Sequence, residues 1–92
     1  MNSAMVRHIL IKRKEDAESL KKQLIKGLDF AKLARKHSLC NSAKRGGDLG
    51  EVKPGQLVGS INHVVFTKEL NKIHGPIKSK FGYHLVEIYY RD

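Results

Sequence analysis

The first apolar run of the chain, Val-Arg-His-Ile-Leu-Ile, alternates between two faces. Its apolar and β-branched content predicts a strand. A period of two places Val6, His8 and Leu10 on one face. The opposite face carries Ile9 and Ile11. Because both faces are largely apolar, we expect a central strand that is covered on both sides.

The last apolar run has the same period. It predicts a strand from Tyr83 to Arg91, on which one face carries His84, Val86, Ile88 and Tyr90. His84 therefore lies on an apolar strand face, as His8 does. A sheet that laid the first and last strands side by side would bring the two imidazoles together.

Between these strands the apolar period lengthens to that of a helix. The first predicted helix starts near Glu15, and its apolar stripe is Ala17, Leu20, Leu24 and Leu28. Gly27 is a candidate helix stop. Asp29 is a candidate cap for a second helix, whose stripe is Phe30, Leu33, Ala34 and His37.

The rest of the chain alternates loops with short elements. Residues 38–50 are small, polar and glycine-rich and predict a loop with one helical turn, and 49–52 predict a short strand. Ser60 is a candidate cap for a third helix. Residues 73–77 are expected to be extended, as the Gly-Pro pair there requires. This order predicts an α+β domain with helices packed on a mainly antiparallel sheet.

Length and cysteine content bound the class of protein. A chain of 92 residues predicts one domain, 1–92. The single cysteine, Cys40, excludes an internal disulfide framework and favours a reducing compartment. No apolar run is long enough to span a membrane. The opening residues 1–6 lack the apolar core of a secretory signal, so we expect a soluble, cytoplasmic protein.

The net charge is +9, from 18 Lys and Arg against 9 Asp and Glu. Such a balance favours weak binding of polyanions by a general electrostatic effect. The basic residues are spread along the chain, however, and they do not interleave with exposed aromatic residues as in most nucleic-acid readers. Solvated helix faces explain most of this charge. We expect a monomer.

The candidate chemistry consists of His8, His84 and Cys40, which precedes the glycine-rich stretch 44–50. Two adjacent imidazoles can share one proton, so that each fixes the other's tautomer. Burial of the pair would oppose double protonation, because two nearby positive charges repel. A single histidine on an apolar face is more often a core residue whose hydrogen bonds are satisfied.

Three other interpretations of these residues are a zinc site, a nucleophilic cysteine and a phosphate loop. A zinc site would use His8, His84, His37 and Cys40, but no short ligand spacing such as Cys-x-x-Cys is present. Cys40 as a nucleophile needs an oxyanion hole that the sequence does not identify. The glycine-rich stretch lacks the strand–loop–helix setting and the Lys-Ser/Thr ending of a phosphate loop, so its glycines are expected to permit a tight connection.

The motifs in their order resemble the parvulin-type peptidyl-prolyl cis–trans isomerases, in the small single-domain bacterial form, over essentially the whole chain. The motifs that carry the resemblance are Arg7-His8-Ile9-Leu10, Ser42 to Gly50, Gly55-Gln56, Val65-Phe66, Gly75-Pro76 and Phe81-Gly82-Tyr83-His84. The resemblance implies a four-stranded, mainly antiparallel sheet flanked by about four helices. It also implies rotation about X–Pro peptide bonds of polypeptide substrates, without a cofactor or metal.

The same resemblance assigns residue roles. By position, His8 and His84 match the family's paired histidines, and Cys40 matches its central Cys/Asp position. The resemblance implies that the substrate-binding residues are Leu49, Leu57, Ile61, Phe66, Ser79 and Phe81. The family usually has Met at the position of Leu57 and Phe at that of Ile61, and both replacements stay apolar.

Three functions follow as expectations. The first is a peptidyl-prolyl isomerase that assists the folding of other chains by favouring a twisted amide in an apolar groove. The second is a chaperone-like module that binds proline-containing segments with little turnover, since the two altered pocket walls weaken the fit. The third is a polyanion binder, which rests only on the charge.

Overall fold

The elements follow one another in the order strand, two helices, strand, helix, two strands. A computed structural model describes residues 3–92. The strands are β1 (Ala4–Ile11), β2 (Asp48–Val52), β3 (Ile73–Ser79) and β4 (Gly82–Arg91), and the helices are α1 (Lys14–Ile25), α2 (Phe30–His37) and α3 (Gly59–Thr67). A short 3-10 helix spans Asn41–Arg45. Met1 and Asn2, with which the predicted domain 1–92 begins, lie outside the described residues. The prediction for the opening residues 1–6 falls partly on them.

The four strands form one antiparallel sheet in the order β2-β1-β4-β3. The first and last strands are therefore central neighbours. In their register Leu10 lies opposite His84 and His8 lies opposite Val86. His8 and His84 are thus diagonal neighbours on one face of the sheet. The predicted α+β fold with a four-stranded antiparallel sheet is confirmed, and within residues 3–92 three α-helices and one 3-10 helix surround the sheet.

Two apolar clusters cover the sheet, one on each face. On one face Ile9, Ile11 and Leu85 pack with α1 and α2. On the other face Val6 and Val86 pack with α3. β1 contributes to both clusters because its alternate residues are apolar on both sides, as a buried central strand requires. The groove described below opens on the α3 side of this sheet.

Two helix boundaries follow local sequence signals. α1 ends at Ile25, and Gly27 then turns the chain with a φ of +102°. The Asp29 carboxylate accepts a hydrogen bond from the Lys32 N–H at 3.1 Å and so caps α2. Because the chain leaves the helix before Gly27, Leu28 does not join the apolar stripe: its exposed fraction is 48%.

The third helix begins differently from the prediction. Its N-cap position is Val58, and no side chain caps it. The Ser60 hydroxyl instead donates to the carbonyl oxygen of Lys78 at 3.4 Å, which ties α3 to the end of β3. The prediction of Ser60 as the cap was wrong, because a tertiary contact takes its hydroxyl. No helix within residues 3–92 has the length and apolar content needed to cross a membrane.

Candidate active site

The two histidines form a buried, stacked pair. Their Nδ1 atoms are 3.3 Å apart, their ring centroids are 5.4 Å apart, and the ring planes differ by 17°. Both side chains are buried. Since two neutral rings must supply one donor and one acceptor to share this contact, one Nδ1 carries a proton and the other does not.

Ser79 extends this pair toward the β3–β4 turn. Its Oγ lies 2.7 Å from His84 Nε2 and accepts the N–H of Phe81 at 3.1 Å. On the other side of the pair, His8 Nε2 is buried and has no partner among the described residues. An unpaired N–H costs more than an unpaired lone pair in such a place.

The network therefore has one preferred direction. We assign the proton of His8 to Nδ1, which donates to His84 Nδ1, and the proton of His84 to Nε2, which donates to Ser79 Oγ. The Ser79 hydroxyl hydrogen remains able to donate. The three side chains thus form one line of hydrogen bonds from β1 through β4 to the end of β3.

Burial keeps both imidazoles neutral. Burial, with a smaller contribution from the nearby His84, lowers the pKa of His8 from its ordinary value of 6.5 to about 4. Burial also lowers the pKa of His84. At pH 7 the pair is therefore uncharged, and each ring can both donate and accept.

An apolar groove opens beside the pair. Its cavity of about 330 Å³ is lined by His8, Leu10, Cys40, Leu49, Gln56, Leu57, Val58, Ile61, Phe81 and His84. The predicted catalytic residues His8, Cys40 and His84 all lie on it. Cys40 is half-buried there, while the phenyl group of Phe81 is 58% exposed at the rim. An apolar cleft with a few polar groups is the usual form of a small binding site.

Two predicted substrate-binding residues do not line this cavity. Phe66 packs partly buried against the core cluster on the α3 side of the sheet. Ser79 reaches the groove only through its contact with His84. The other four, Leu49, Leu57, Ile61 and Phe81, line the cavity as wall or rim.

Three lining residues were not singled out from the sequence. Leu10 shares the strand face of His8, so the period of two contained the signal. The side chain of Gln56 accepts the N–H of Lys53 at 2.8 Å, which holds the turn that leads into the groove wall. Val58 precedes α3 and had no sequence signal, because its position depends on where that helix begins.

The glycine-rich stretch packs its backbone against the strand that carries His8 and against α2. The N–H of His8 donates to the Gly47 carbonyl at 2.9 Å, and a Cβ atom on Gly47 would collide with the His8 carbonyl oxygen. A Cβ atom on Gly46 would lie 2.6 Å from that of Ala31. These glycines permit a close approach of backbone to β1 and α2.

Metal binding finds no support in the described geometry. Within residues 3–92, no group of three or more His, Cys, Asp or Glu side chains is arranged to hold a metal ion. Both nitrogens of His84 and the Nδ1 of His8 are already engaged in hydrogen bonds, which leaves His8 Nε2 as the single free nitrogen of the pair within the described part of the chain.

Comparison with known proteins gives a family match over most of the chain. Residues 8–89 match the rotamase family model described as the PPIC-type PPIase domain. A parvulin-like PPIase of Rickettsia bellii is 40% identical over 87 residues, which is 90% of this chain and 31% of the relative. The foldase protein PrsA of a Geobacillus strain is 39% identical over 82 residues, 88% of this chain and 30% of the relative.

Solved structures show the same fold. PrsA from Bacillus anthracis superposes with a TM-score of 0.95 at 27% identity, over 99% of this chain and 42% of that protein. NmPin, the parvulin of Nitrosopumilus maritimus, superposes with a TM-score of 0.87 at 32% identity, over 97% of both chains. The chain thus spans about a third of the length of the curated relatives it matches and nearly all of one solved parvulin.

Proposed function

Because the chain belongs to the PPIC-type peptidyl-prolyl isomerase domain family, as its motifs predicted, we propose that it catalyses cis–trans rotation about X–Pro peptide bonds. The observation that carries the proposal is the convergence of His8, Cys40 and His84 on one apolar groove. The names of the relatives, foldase and parvulin-like PPIase, support polypeptide segments that contain proline as the substrate.

Cis–trans isomerisation requires only that the catalyst lower the barrier to rotation about the peptide bond. Rotation about an X–Pro bond has a barrier of about 18–20 kcal/mol and takes tens to hundreds of seconds without help. The barrier arises because the nitrogen lone pair is delocalised into the carbonyl. A site that binds the twisted amide better than either planar form lowers this barrier, and no covalent step or cofactor is required.

The groove supplies an apolar surface for the proline ring. Its walls include Leu49, Leu57 and Ile61, and Phe81 stands at the rim. A ring held there leaves the preceding carbonyl free to turn. Removing water from that carbonyl weakens the planar form, because hydrogen bonds from water stabilise its charge-separated character.

Cys40 acts in this proposal through its electron density and not through a covalent bond. A sulfur beside the carbonyl carbon disfavours the polarised planar amide. The resemblance supports this role, because the family accepts aspartate at the same position. The neutral His8–His84 pair, fixed by Ser79, holds the shape of the polar end of the groove.

A second candidate function is binding of proline segments with little turnover. The observation that favours it is the pair of groove walls Leu57 and Ile61, which stand where the family usually has Met and Phe. An aliphatic wall gives up the aromatic contact with the proline ring. A cytoplasmic location, a monomeric state and weak polyanion binding stay predictions.

The proposal is tested by blocking the groove. Leu57→Lys places a charge on the apolar wall and is expected to lower kcat/KM for a chromogenic X–Pro peptide by about tenfold or more. The matched control is Leu28→Lys, at a leucine that is 48% exposed and does not line the groove. Equal activity of the two variants would contradict the assignment of the groove.

A further inference from the structure

The edge of β1 changes partner beside the groove. β2 pairs with β1 only from Ala4 to Arg7. Beyond that point the His8 N–H donates to Gly47, and the Leu10 N–H donates to the hydroxyl oxygen of Ser38 at 3.0 Å. The Leu10 carbonyl accepts the N–H of Leu39 at 2.8 Å. A loop therefore continues the pairing that the strand gives up.

Ser38 forms hydrogen bonds to three parts of the chain: helix α2, strand β1 and the loop that contains Cys40. Its own N–H donates to the Ala34 carbonyl at 2.9 Å and closes the end of α2. Its Oγ accepts the N–H of Leu10 and also that of Cys40, the latter at 3.4 Å. One hydroxyl oxygen thus joins β1 to the peptide that carries the groove thiol.

This junction lies two residues before the thiol of the groove. Leu10 and His8 share a strand face, and Leu10, His8 and Cys40 all line the groove. Cys40 lies between α2 and the 3-10 helix, in a segment without strand or α-helix. Two hydrogen bonds join this segment to β1, the strand that carries His8. Both are made to Leu10, one by Ser38 and one by Leu39.

We propose that Ser38 is a positioning residue of this site: its hydroxyl oxygen, by accepting the amides of Leu10 and Cys40 together, sets the Cys40 thiol against the His8 end of the groove. The inference rests on the proposed isomerase function for its catalytic consequence. Its structural part stands on these contacts alone. When Cys40 is held in this way, its sulfur is already placed for the substrate carbonyl, and no conformational entropy of the loop is lost when the substrate binds.

The first test uses the single thiol of the chain. Ser38→Ala removes the acceptor, and the rate of Cys40 alkylation by iodoacetamide in the folded protein is expected to rise about threefold or more, because the loop opens toward solvent. Ser38→Thr keeps the oxygen in an extended backbone that suits a β-branched residue, and its rate is expected to stay near that of the wild type.

A destabilised control separates positioning from stability. Leu24→Ala removes a buried side chain from the α1 side of the core and touches none of these contacts. It is expected to lower the free energy of unfolding and to leave the alkylation rate unchanged. A rise of the rate in Leu24→Ala equal to that in Ser38→Ala, or no rise in Ser38→Ala, would overturn the proposal.

The catalytic consequence is read separately. With an X–Pro peptide, kcat/KM of Ser38→Ala is expected to fall about tenfold through kcat, with KM nearly unchanged, and Ser38→Thr is expected to restore it. Failure of Ser38→Thr to restore both rates would count against the hydroxyl. If the wild-type protein isomerises no peptide, the proposed function fails, while the alkylation rates still decide the role of Ser38.

A measurement on the wild type covers the case in which Ser38→Ala does not fold. The Leu10 N–H donates to the hydroxyl oxygen of Ser38 and not to a carbonyl of a neighbouring strand. This bond predicts that the Leu10 amide exchanges its hydrogen as slowly as the His8 amide does. Exchange of the Leu10 amide at the rate of an exposed loop would overturn the proposal.

Discussion

Gly47 lies directly against the peptide of His8, with the His8 N–H donating to the Gly47 carbonyl at 2.9 Å. The backbone of Gly47 also has a φ of +86°. A side chain at this position would collide with the His8 carbonyl oxygen and would approach Phe30 at 3.2 Å. The glycine-rich stretch thus serves the histidine of the site through its backbone and lacks the setting of a phosphate loop.

Gly47→Ala is therefore expected to lower the free energy of unfolding by about 3 kcal/mol or more, from the collision and the positive φ together. The matched control is Gly50→Ala, where φ is +68° and a Cβ atom meets open space. Its expected cost is about 1 kcal/mol. Urea unfolding of both variants measures the difference, and equal costs would show that the contact with His8 is unimportant.

Stability should fall as pH falls, because burial lowers the pKa of His8 to about 4. The unfolded chain takes up this proton near pH 6.5, whereas the folded chain takes it up only near pH 4. Between these values the unfolded state binds more protons, so the stabilisation present above pH 6.5 is lost toward pH 4. The loss from this group is expected to be about 2 kcal/mol between pH 7 and pH 5.

Urea unfolding at several pH values measures this slope. His8→Gln is expected to reduce this slope, since one of the two buried histidines is gone, while the lowered pKa of His84 still contributes. His37→Gln, at an exposed histidine that does not line the groove, is the matched control for the substitution itself. A slope that His8→Gln does not reduce would contradict a neutral, buried His8.

Cys40→Asp separates the electrostatic role of the thiol from a covalent one. A carboxylate also places electron density beside the carbonyl carbon, so kcat/KM is expected to stay within about tenfold of the wild type. A covalent mechanism requires the nucleophilic sulfur and predicts loss of all turnover. The control is a circular dichroism spectrum and unfolding curve that show the variant to be folded.

Much of the fold was predictable because its signals are local. The period of two in the first and last strands placed His8 and His84 on apolar faces, and Asp29 caps α2 as its sequence position indicated. The predictions that Leu28 joins the apolar stripe of α1 and that Ser60 caps α3 were wrong. Gly27 turns the chain away before Leu28 can pack, and Ser60 bonds to Lys78, which is eighteen residues distant.

In the site, too, the features with local sequence signals could be predicted and those that depend on distant contacts could not. The histidine pair could be predicted from two strand patterns, whereas the place of Ser38 could not. Its hydroxyl bonds to Leu10, twenty-eight residues earlier, at the point where β2 stops pairing. Such a contact depends on the length of a neighbouring strand. Phe66 shows the opposite case: its motif matches the family, yet its side chain packs partly buried against the core cluster and does not line the groove.

The most direct test of the account is NMR exchange spectroscopy on a short X–Pro peptide with a catalytic amount of the protein. The account predicts cis–trans exchange on a sub-second scale, against tens of seconds for the free peptide. The folded Leu57→Lys variant should catalyse this exchange more slowly, by about tenfold or more. Peptide resonances that shift on binding while the isomers still interconvert over tens of seconds would contradict catalysis and leave a proline-binding module on this fold.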